Sequence, residues 1–363
     1  MAARFAWVLN LDADLELAAI ASGAAVALGG YAPKRSVVDA MRRFAPKLAA
    51  SLLDPHDDVL VDEASPPLGA RGLVGRAFCP TPRALRLLRR AGAEPEPHPA
   101  WQVLLRVNSR AFASSLGTTL PCAVFVADEG EARALLGTPP PPELAQAWRV
   151  KRNFGMTGRG QRIVAAAAVT QQDLAFVRAG LSEGGVQIEP DVTIVAEFAI
   201  HGLLGPAGAL TLGPVVKQHC DARGAWVSSE RLAVGHAPAH APASLASEAE
   251  RVAAALSAAG YFGPFGVDAY TYRVRRFANA SDMERDGAIA LQPRSEINAR
   301  YTMGFAAPAQ VGTDDRRPET YWQDVLDPVV HGNGPAPKAS SGRAEPGRKD
   351  AVDAEFEETH GHL

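Results

Sequence analysis

An acid, an amide and a guanidinium alternate with apolar residues in one short segment near residue 300. Glu296, Asn298 and Arg300 are separated by Ile297 and Ala299. Successive side chains of a β-strand point to opposite faces, so the three polar groups are predicted to share one face. Carboxylate and amide oxygens suit Mg²⁺, and a guanidinium suits a phosphate or a carboxylate. The segment therefore predicts a metal–phosphate site, with a half-buried strand carrying a solvated polar face as the alternative.

The composition is that of an ordinary globular protein with no general attraction to nucleic acid or membranes. Of its 363 residues, 47% are hydrophobic and 21% are charged, and the net charge is −3. Any anion binding must therefore be local. Three widely spaced cysteines form no CxxC pair, which favours reduced thiols in a cytoplasmic protein. We expect no signal peptide and no bilayer-spanning segment, because the apolar runs near the N-terminus are short.

Hydrophobic patterning predicts an α/β protein of several units. Strands and helices alternate over residues 1–99, which is typical of a small α/β domain with a parallel sheet. The predicted helices lie at 36–53, 82–91 (capped by Thr81), 107–116, 173–184 and 244–259 (capped by Ser244). After residue 100, strands are predicted at 122–127 and on both sides of a glycine-rich turn within 150–169, and a broken strand is predicted at 186–200. A hairpin is predicted from 210–218 and 224–232, and two further strands at 266–273 and 288–300. A short helix is predicted at 321–330, and disorder from residue 332 onward.

A lysine and three glycines mark the hairpin that is predicted within residues 148–164. Lys151 ends the first strand, and Gly155, Gly158 and Gly160 lie in the turn. Glycines let backbone N–H groups approach phosphate oxygens, and the lysine supplies a positive charge. The spacing is that of neither a Walker A loop nor a dinucleotide-binding turn. A phosphate-binding loop is predicted, and a glycine hairpin with a chance lysine is the alternative.

Asp268 lies in a strand of glycine and aromatic residues, with Tyr270 and Tyr272 on the same face. Burying a carboxylate without a partner is costly, so we expect this side chain to have one. A metal shared with Glu296 across the sheet would satisfy it. A capping or turn-bonded aspartate is the alternative.

These segments, taken in order, resemble the ATP-grasp superfamily. The order is a lysine strand with a glycine loop, a Glu-Pro segment, an aspartate strand and a closing ExNxR strand, from about residue 106 to residue 304. The resemblance implies an α/β (α+β) ATP-grasp fold, in which an N-terminal α/β pre-ATP-grasp domain precedes two α+β lobes that sandwich ATP. It implies an N-terminal domain at 1–100, a small ATP-covering lobe at 101–200, a large lobe with metal-binding strands at 201–315, and a mostly disordered tail at 316–363.

The resemblance also implies a role for each matching residue at the metal and the phosphates. Asp268, Glu296 and Asn298 match the ligands of Mg²⁺, for which Mn²⁺ is an alternative. Arg300 matches an arginine that contacts phosphate or the substrate carboxylate. Lys151 and Arg110 match phosphate-binding cations. The lid loop over ATP corresponds to Gly155, Gly158 and Gly160.

Three further matches are weaker. Residues 186–197 are expected to form an interdomain hinge, where the backbone near Ile188 and Glu189 would meet adenine, and Glu197 is expected at the ribose hydroxyls. Lys217 is expected to contact the transferred phosphoryl group. A solvated strand lysine is an equally good interpretation of Lys217, because exposed lysines are common.

The activity that the resemblance implies is ATP-dependent ligation of a carboxylate to an amine through an acyl phosphate. The substrates would be small-molecule or peptide carboxylates and amines, with no nucleic acid or membrane partner, and a homodimer is left open. An ATP-grasp kinase that stops after phosphoryl transfer is one alternative. A non-catalytic nucleotide-binding protein is the other, and the intact set of Lys151, Asp268, Glu296 and Asn298 argues against it.

Overall fold

The structure is a computed structural model that describes most of the first 306 residues. The described ranges are 4–24, 30–54, 56, 58–62, 69–156, 159–166, 168–221, 226–232, 241–275 and 287–306. Gly158, the helix predicted at 321–330 and the predicted tail at 316–363 lie outside these ranges. Within them the chain forms three β-sheets with helices packed against them, which confirms the predicted mixed α/β class.

The N-terminal sheet is parallel and has the strand order β2-β1-β3-β4. Its strands are β1 (Phe5–Val8), β2 (Val59–Leu60), β3 (Val74–Ala77) and β4 (Glu94–Pro95), and its helices are α1 (Ala13–Ala21), α2 (Arg35–Leu52) and α3 (Pro82–Arg90). The alternation predicted for residues 1–99 is confirmed. The Thr81 side chain accepts a hydrogen bond from the backbone N–H of Ala84, so the predicted cap of α3 is also confirmed.

The small central sheet is antiparallel and has the order β5-β8-β6-β7. Its strands are β5 (Val124–Val126), β6 (Ala147–Met156), β7 (Arg159–Ala165) and β8 (Val186–Pro190), and helices α6 (Glu129–Leu136) and α7 (Gln171–Leu181) cover one face. The two strands predicted around the glycine-rich turn are β6 and β7. Helix α7 begins two residues before the predicted start, because Thr170 and Asp173 form a capping box there.

The helix predicted at 107–116 is α5 (Arg110–Ser115), and a separate helix that was not predicted, α4 (Trp101–Val107), precedes it. Ser109 caps α5 by accepting a hydrogen bond from the backbone N–H of Phe112, which starts a new helix. Asn108 lies between them, and its side chain binds the backbone of Ala299, far along the chain. The predicted helix is therefore confirmed, but it starts three residues later than predicted because these two polar residues favour a cap over a helix interior.

The large sheet is antiparallel and has the order β12-β11-β9-β13-β14, with β10 paired to β9. Its strands are β9 (Thr193–Leu204), β10 (Leu210–Leu212), β11 (Val216–Cys220), β12 (Trp226–Arg231), β13 (Gly263–Arg273) and β14 (Ile289–Asn298). The broken strand predicted at 186–200 is confirmed, since it forms two strands in different sheets, β8 and β9. The strand predicted at 210–218 is likewise β10 and β11, and only β11 forms the predicted hairpin with β12.

Helix α8 (Ala241–Ala258) packs against the large sheet and contributes Leu245, Val252 and Leu256 to the largest hydrophobic core. It begins three residues before Ser244, so the predicted cap at Ser244 was wrong. Its predicted end is confirmed, since Gly260 takes a φ of +82°, a backbone conformation that favours glycine. None of the described helices is both long and apolar enough to cross a bilayer.

Candidate active site

A cleft of about 770 Å³ lies between the small and large sheets and is closed on one side by the N-terminal helices. The predicted site residues that line it come from helix α5, from the small sheet, and from the large sheet with the segment that follows β14. They are Arg110, Lys151, Gly155, Gly160, Glu189, Glu197, Asp268, Glu296, Asn298 and Arg300. The structure therefore brings together residues that are far apart in the sequence. Of the predicted set, Lys217 and Ile188 lie off the cleft, while Gly158 lies outside the described residues.

Two strands of the large sheet position the three candidate metal ligands. Asp268 on β13 is directly opposite Glu296 on β14, and Asn298 follows two residues later on the same face. The Nδ2 atom of Asn298 donates to Asp268 Oδ2 at 2.8 Å, and Nε2 of Gln218 donates to Asp268 Oδ1 at 3.0 Å. The pairing matches the predicted sharing of a face.

The charge on Asp268 is poorly compensated by its described neighbours. Burial raises the pKa of Asp268 to about 7, the carboxylate of Glu296 adds to the rise, and the two amide donors only partly oppose it. A divalent cation between the two carboxylates would stabilise both, and the oxygens of Asp268, Glu296 and Asn298 are hard ligands of the type Mg²⁺ uses. No group of three His, Cys, Asp or Glu side chains suited to a metal occurs among the described residues.

Two cations face this acidic group from other elements. Lys151 on β6 pairs with Glu189 on β8, with 2.5 Å between Nζ and Oε1, and Gln187 also donates to Glu189. Arg110, at the start of α5, lies 3.1 Å from Glu296 Oε1 through NH2 and donates from Nε to the carbonyl of Arg152. Its NH1 is buried and has no hydrogen-bond partner among the described residues. An anion in the cleft would satisfy it.

Arg300 is held by two residues that the sequence did not single out. Its NH2 lies 2.6 Å from Asp14 Oδ2 on α1, and its NH1 donates to Asn108 Oδ1 at 3.0 Å. Asn108 Oδ1 also accepts from the backbone N–H of Ala299 at 2.9 Å, which ties the segment after β14 to the end of α4. Burial raises the pKa of Asp14 to about 6, against the lowering effect of Arg300.

Lys217 does not line the cleft. It pairs across β11 with Glu230, at 3.9 Å from Nζ to Oε1, and both side chains are substantially exposed. The neighbouring Gln218 faces the cleft instead and binds Asp268, because side chains alternate along the strand. The role predicted for Lys217 at the transferred phosphoryl group is therefore withdrawn, and the solvated-lysine interpretation is retained.

The chain crosses from the small to the large sheet within the hinge predicted at 186–197, but after Ile188. The backbone of Ile188 is paired on both sides, with Val124 of β5 and Val150 of β6, so it is not available to a ligand. The crossing lies at Asp191 and Val192, and Val192 lines the cleft. The Glu189 side chain also lines it, bound to Lys151.

Matched variants of Lys151 and Lys217 test whether Lys151, and not Lys217, contacts the phosphates of ATP. We expect Lys151→Gln to weaken ATP binding by about 30-fold, since a hydrogen bond to a charged group is lost. Lys217→Gln should change the affinity less than about twofold, because surface ion pairs contribute little. Titration calorimetry with MgATP gives both values. Similar losses in the two variants would contradict the geometry.

Three residues of the site, Gln218, Asn108 and Asp14, were not predicted, because their roles depend on contacts between distant parts of the chain. Gln218 is the cross-strand neighbour of Glu197, and Asn108 and Asp14 contact Arg300 across 192 and 286 positions of sequence. Only the hydrophobic pattern of β11 contained some of this information, because it indicates which of residues 217 and 218 faces the cleft.

No family model matches the sequence, and no curated protein matches it. Among solved structures, the chain is similar to N5-carboxyaminoimidazole synthetase from Staphylococcus aureus complexed with ADP, at 14% identity over 91% of this chain and 78% of that one, with a TM-score of 0.45. It is also similar to D-alanyl-alanine synthetase A from Vibrio cholerae, at 12% identity over 91% and 99% of the two chains, with a TM-score of 0.48.

Proposed function

We propose that this chain is a Mg²⁺-dependent ATP-grasp ligase that joins a carboxylate to an amine. The observation that carries the proposal is one cleft in which the oxygen ligands Asp268, Glu296 and Asn298 lie together with the cations Lys151 and Arg110. A set of carboxylates alone would suit many cations, and a set of cations alone would suit many anions. The combination suits a metal–polyphosphate complex.

Each group has a task that its position supports. Asp268, Glu296 and Asn298 would hold Mg²⁺, whose charge neutralises the β- and γ-phosphates when MgATP is bound. Lys151 and the unpartnered NH1 of Arg110 would bind phosphate oxygens. Ile163, Val192 and Ile194 form an apolar surface in the same cleft that suits the adenine ring.

The proposed reaction balances in two displacements. An oxygen of the substrate carboxylate attacks the γ-phosphorus and ADP leaves, which gives an acyl phosphate. The amine nitrogen then attacks the acyl carbon, phosphate leaves, and the nitrogen loses a proton. Arg300, fixed by Asp14 and Asn108, would orient the carboxylate, and the other residues mainly position and neutralise charge.

A cytoplasmic location is proposed because the cysteines form no disulfide. Cys79, Cys122 and Cys220 are all unpaired, which supports the reducing cytoplasm.

A screen for ADP release with paired acids and amines tests the proposal, followed by mass analysis of the products. The ligase proposal expects an amide with one phosphate and one ADP per bond formed. A stable phosphorylated acceptor would instead identify a kinase, and binding of MgATP without ADP release under any pair would favour a non-catalytic protein.

The β6–β7 hairpin is expected to act as a lid. Gly155 and Gly160 line the cleft, and Gly160 has a φ of +81°, a backbone conformation that favours glycine. Hydrogen exchange over residues 154–161 should slow several-fold when MgATP is added, because the lid orders on its ligand. The turn at 205–209, remote from the cleft, is the control and should not change. Unaltered exchange at 154–161 despite measured MgATP binding would make the hairpin a structural turn only.

A further inference from the structure

The cleft has two apolar surfaces, and the adenine base of ATP, its one aromatic ring system, can cover only one of them. The first, beside the small sheet, is the surface proposed for adenine. The second, which we call the apolar wall, consists of Met41 and Phe44 of α2, Trp226 of β12 and Met303 of the 3₁₀ helix Met303–Ala306. All four side chains are half-buried and line the cleft. A second ligand is therefore needed to cover the apolar wall.

The apolar wall is a packed arrangement rather than a set of unrelated exposed side chains. The rings of Phe44 and Trp226 meet edge to face with 6.3 Å between their centroids. Lys47, one turn further along α2, lies 5.5 Å from the Trp226 ring and donates to the carbonyl of Val227 at 3.3 Å. These contacts fix an edge strand of the large sheet against a helix of the N-terminal unit. A fixed aromatic surface binds an apolar group at little entropic cost.

The apolar wall continues directly from the proposed anion site. Arg300 is followed in the chain by Tyr301, Thr302 and Met303, all of which line the cleft. A guanidinium has five N–H donors, and the described partners of Arg300 account for one bond from NH1 and one from NH2. The remaining donors suit a carboxylate. A negative head group at Arg300 and an apolar body at the wall therefore belong to one molecule.

We infer that the carboxylate substrate of the proposed ligase has an apolar or aromatic body that packs on Met41, Phe44, Trp226 and Met303. This inference rests on the proposed function, because it names the class of the acid that the proposed ligase would use and says nothing of the amine. A dicarboxylate or a sugar acid would leave the apolar wall wet and would place a second polar group against aromatic rings. Small apolar monocarboxylic acids are the class that the cleft favours.

Binding of acids in the presence of MgADP tests the inference without any chemistry. The probes are 3-phenylpropanoate and 4-methylpentanoate, compared with succinate and glutarate by titration calorimetry. The apolar acids should bind at least about tenfold more tightly, since the second carboxylate of succinate or glutarate would lose its hydration against the apolar wall. Phe44→Ala and Trp226→Ala should each remove most of that preference while MgADP affinity stays unchanged. Val227→Ala is the matched control, because Val227 is an exposed apolar side chain on the same strand that does not line the cleft.

Equal or tighter binding of the dicarboxylates would overturn the inference, as would an unchanged preference in both variants. Trapping with hydroxylamine separates this outcome from failure of the proposed function. If the apolar acids bind as expected but yield no hydroxamate and no ADP from MgATP, the substrate class stands and the ligase chemistry falls. If MgADP itself fails to bind, the nucleotide site is wrong and the inference falls with it.

Discussion

Replacement of Glu296 by alanine is expected to lower the rate of MgATP-dependent ADP release by about a thousandfold, or about 4 kcal/mol of transition-state stabilisation. Glu296 is directly opposite Asp268 and contacts Arg110, so its carboxylate links the proposed metal to the proposed phosphate-binding cation. Asn298→Ala should give a loss of the same kind, because it removes the third oxygen ligand. Both losses should appear in kcat more than in the affinity for the acid.

The fold should survive these changes. Glu296 is 30% exposed and its carboxylate belongs to a polar cluster rather than to the hydrophobic core. Melting temperatures of the variants without ligand should therefore stay close to that of the wild type. Glu230→Gln is the matched control, since Glu230 is an exposed acid on the same sheet that lies off the cleft. A Glu296→Ala protein that releases ADP at nearly the wild-type rate would remove Glu296 from the metal site.

A second large effect is expected in the pH dependence of stability. Asp268 has a pKa of about 7 in the fold, against about 3.9 in an unfolded chain. The folded state therefore binds this proton more tightly than the unfolded state. The stabilisation is fully present below the unfolded pKa, and the free energy of unfolding falls as pH rises from about 4 to about 7. Asp14, whose pKa is raised to about 6, acts in the same direction over a narrower range.

Asp268→Asn is expected to remove the larger part of this dependence. In EDTA, the difference in unfolding free energy between about pH 5 and about pH 8 should shrink by on the order of 2 kcal/mol relative to the wild type. Mg²⁺ with ATP should stabilise the wild type most at the higher pH, where Asp268 is ionised, and should stabilise the variant little. Denaturant titrations at the two pH values measure both quantities.

The Asp268→Asn substitution keeps the shape of the side chain but changes its hydrogen bonds to Gln218 and Asn298, which alters the unfolding free energy at every pH. The change of the unfolding free energy with pH therefore reports the lost titration of Asp268. Asp39→Asn is the control, since Asp39 is an exposed acid on α2 that pairs with the exposed Arg42. A variant whose pH dependence equals that of the wild type would show that Asp268 is ionised and compensated without a metal.

Local patterns in the sequence predicted the parts of the site that lie within one element. The alternation along β14 placed Glu296 and Asn298 on one face, and the glycines after Lys151 marked the β6–β7 hairpin. Both depend only on the two-residue period of a strand and on the backbone freedom of glycine. The parallel N-terminal sheet was predictable for a similar reason, since strands and helices alternate there.

What could not be predicted depends on register and on long-range contacts. A shift of one residue moves a strand's whole set of side chains to the other face, and on β11 the side chain that faces the cleft is that of Gln218 rather than that of Lys217. The contacts of Arg300 with Asp14 and Asn108 join three elements far apart in sequence. No short-range pattern encodes such contacts, and the early start of α8 shows the same limit for helix ends.

The central claim is that Asp268, Glu296 and Asn298 hold the metal of a bound MgATP. The most direct test is to titrate ATP into the protein once with Mg²⁺ and once with EDTA. The wild type should bind ATP at least about tenfold more tightly with Mg²⁺ than with EDTA. Glu296→Gln combined with Asn298→Ala should remove that metal-dependent gain and leave the weaker binding in EDTA unchanged. Equal ATP affinity in Mg²⁺ and EDTA, or a gain that persists in the double variant, would contradict the account.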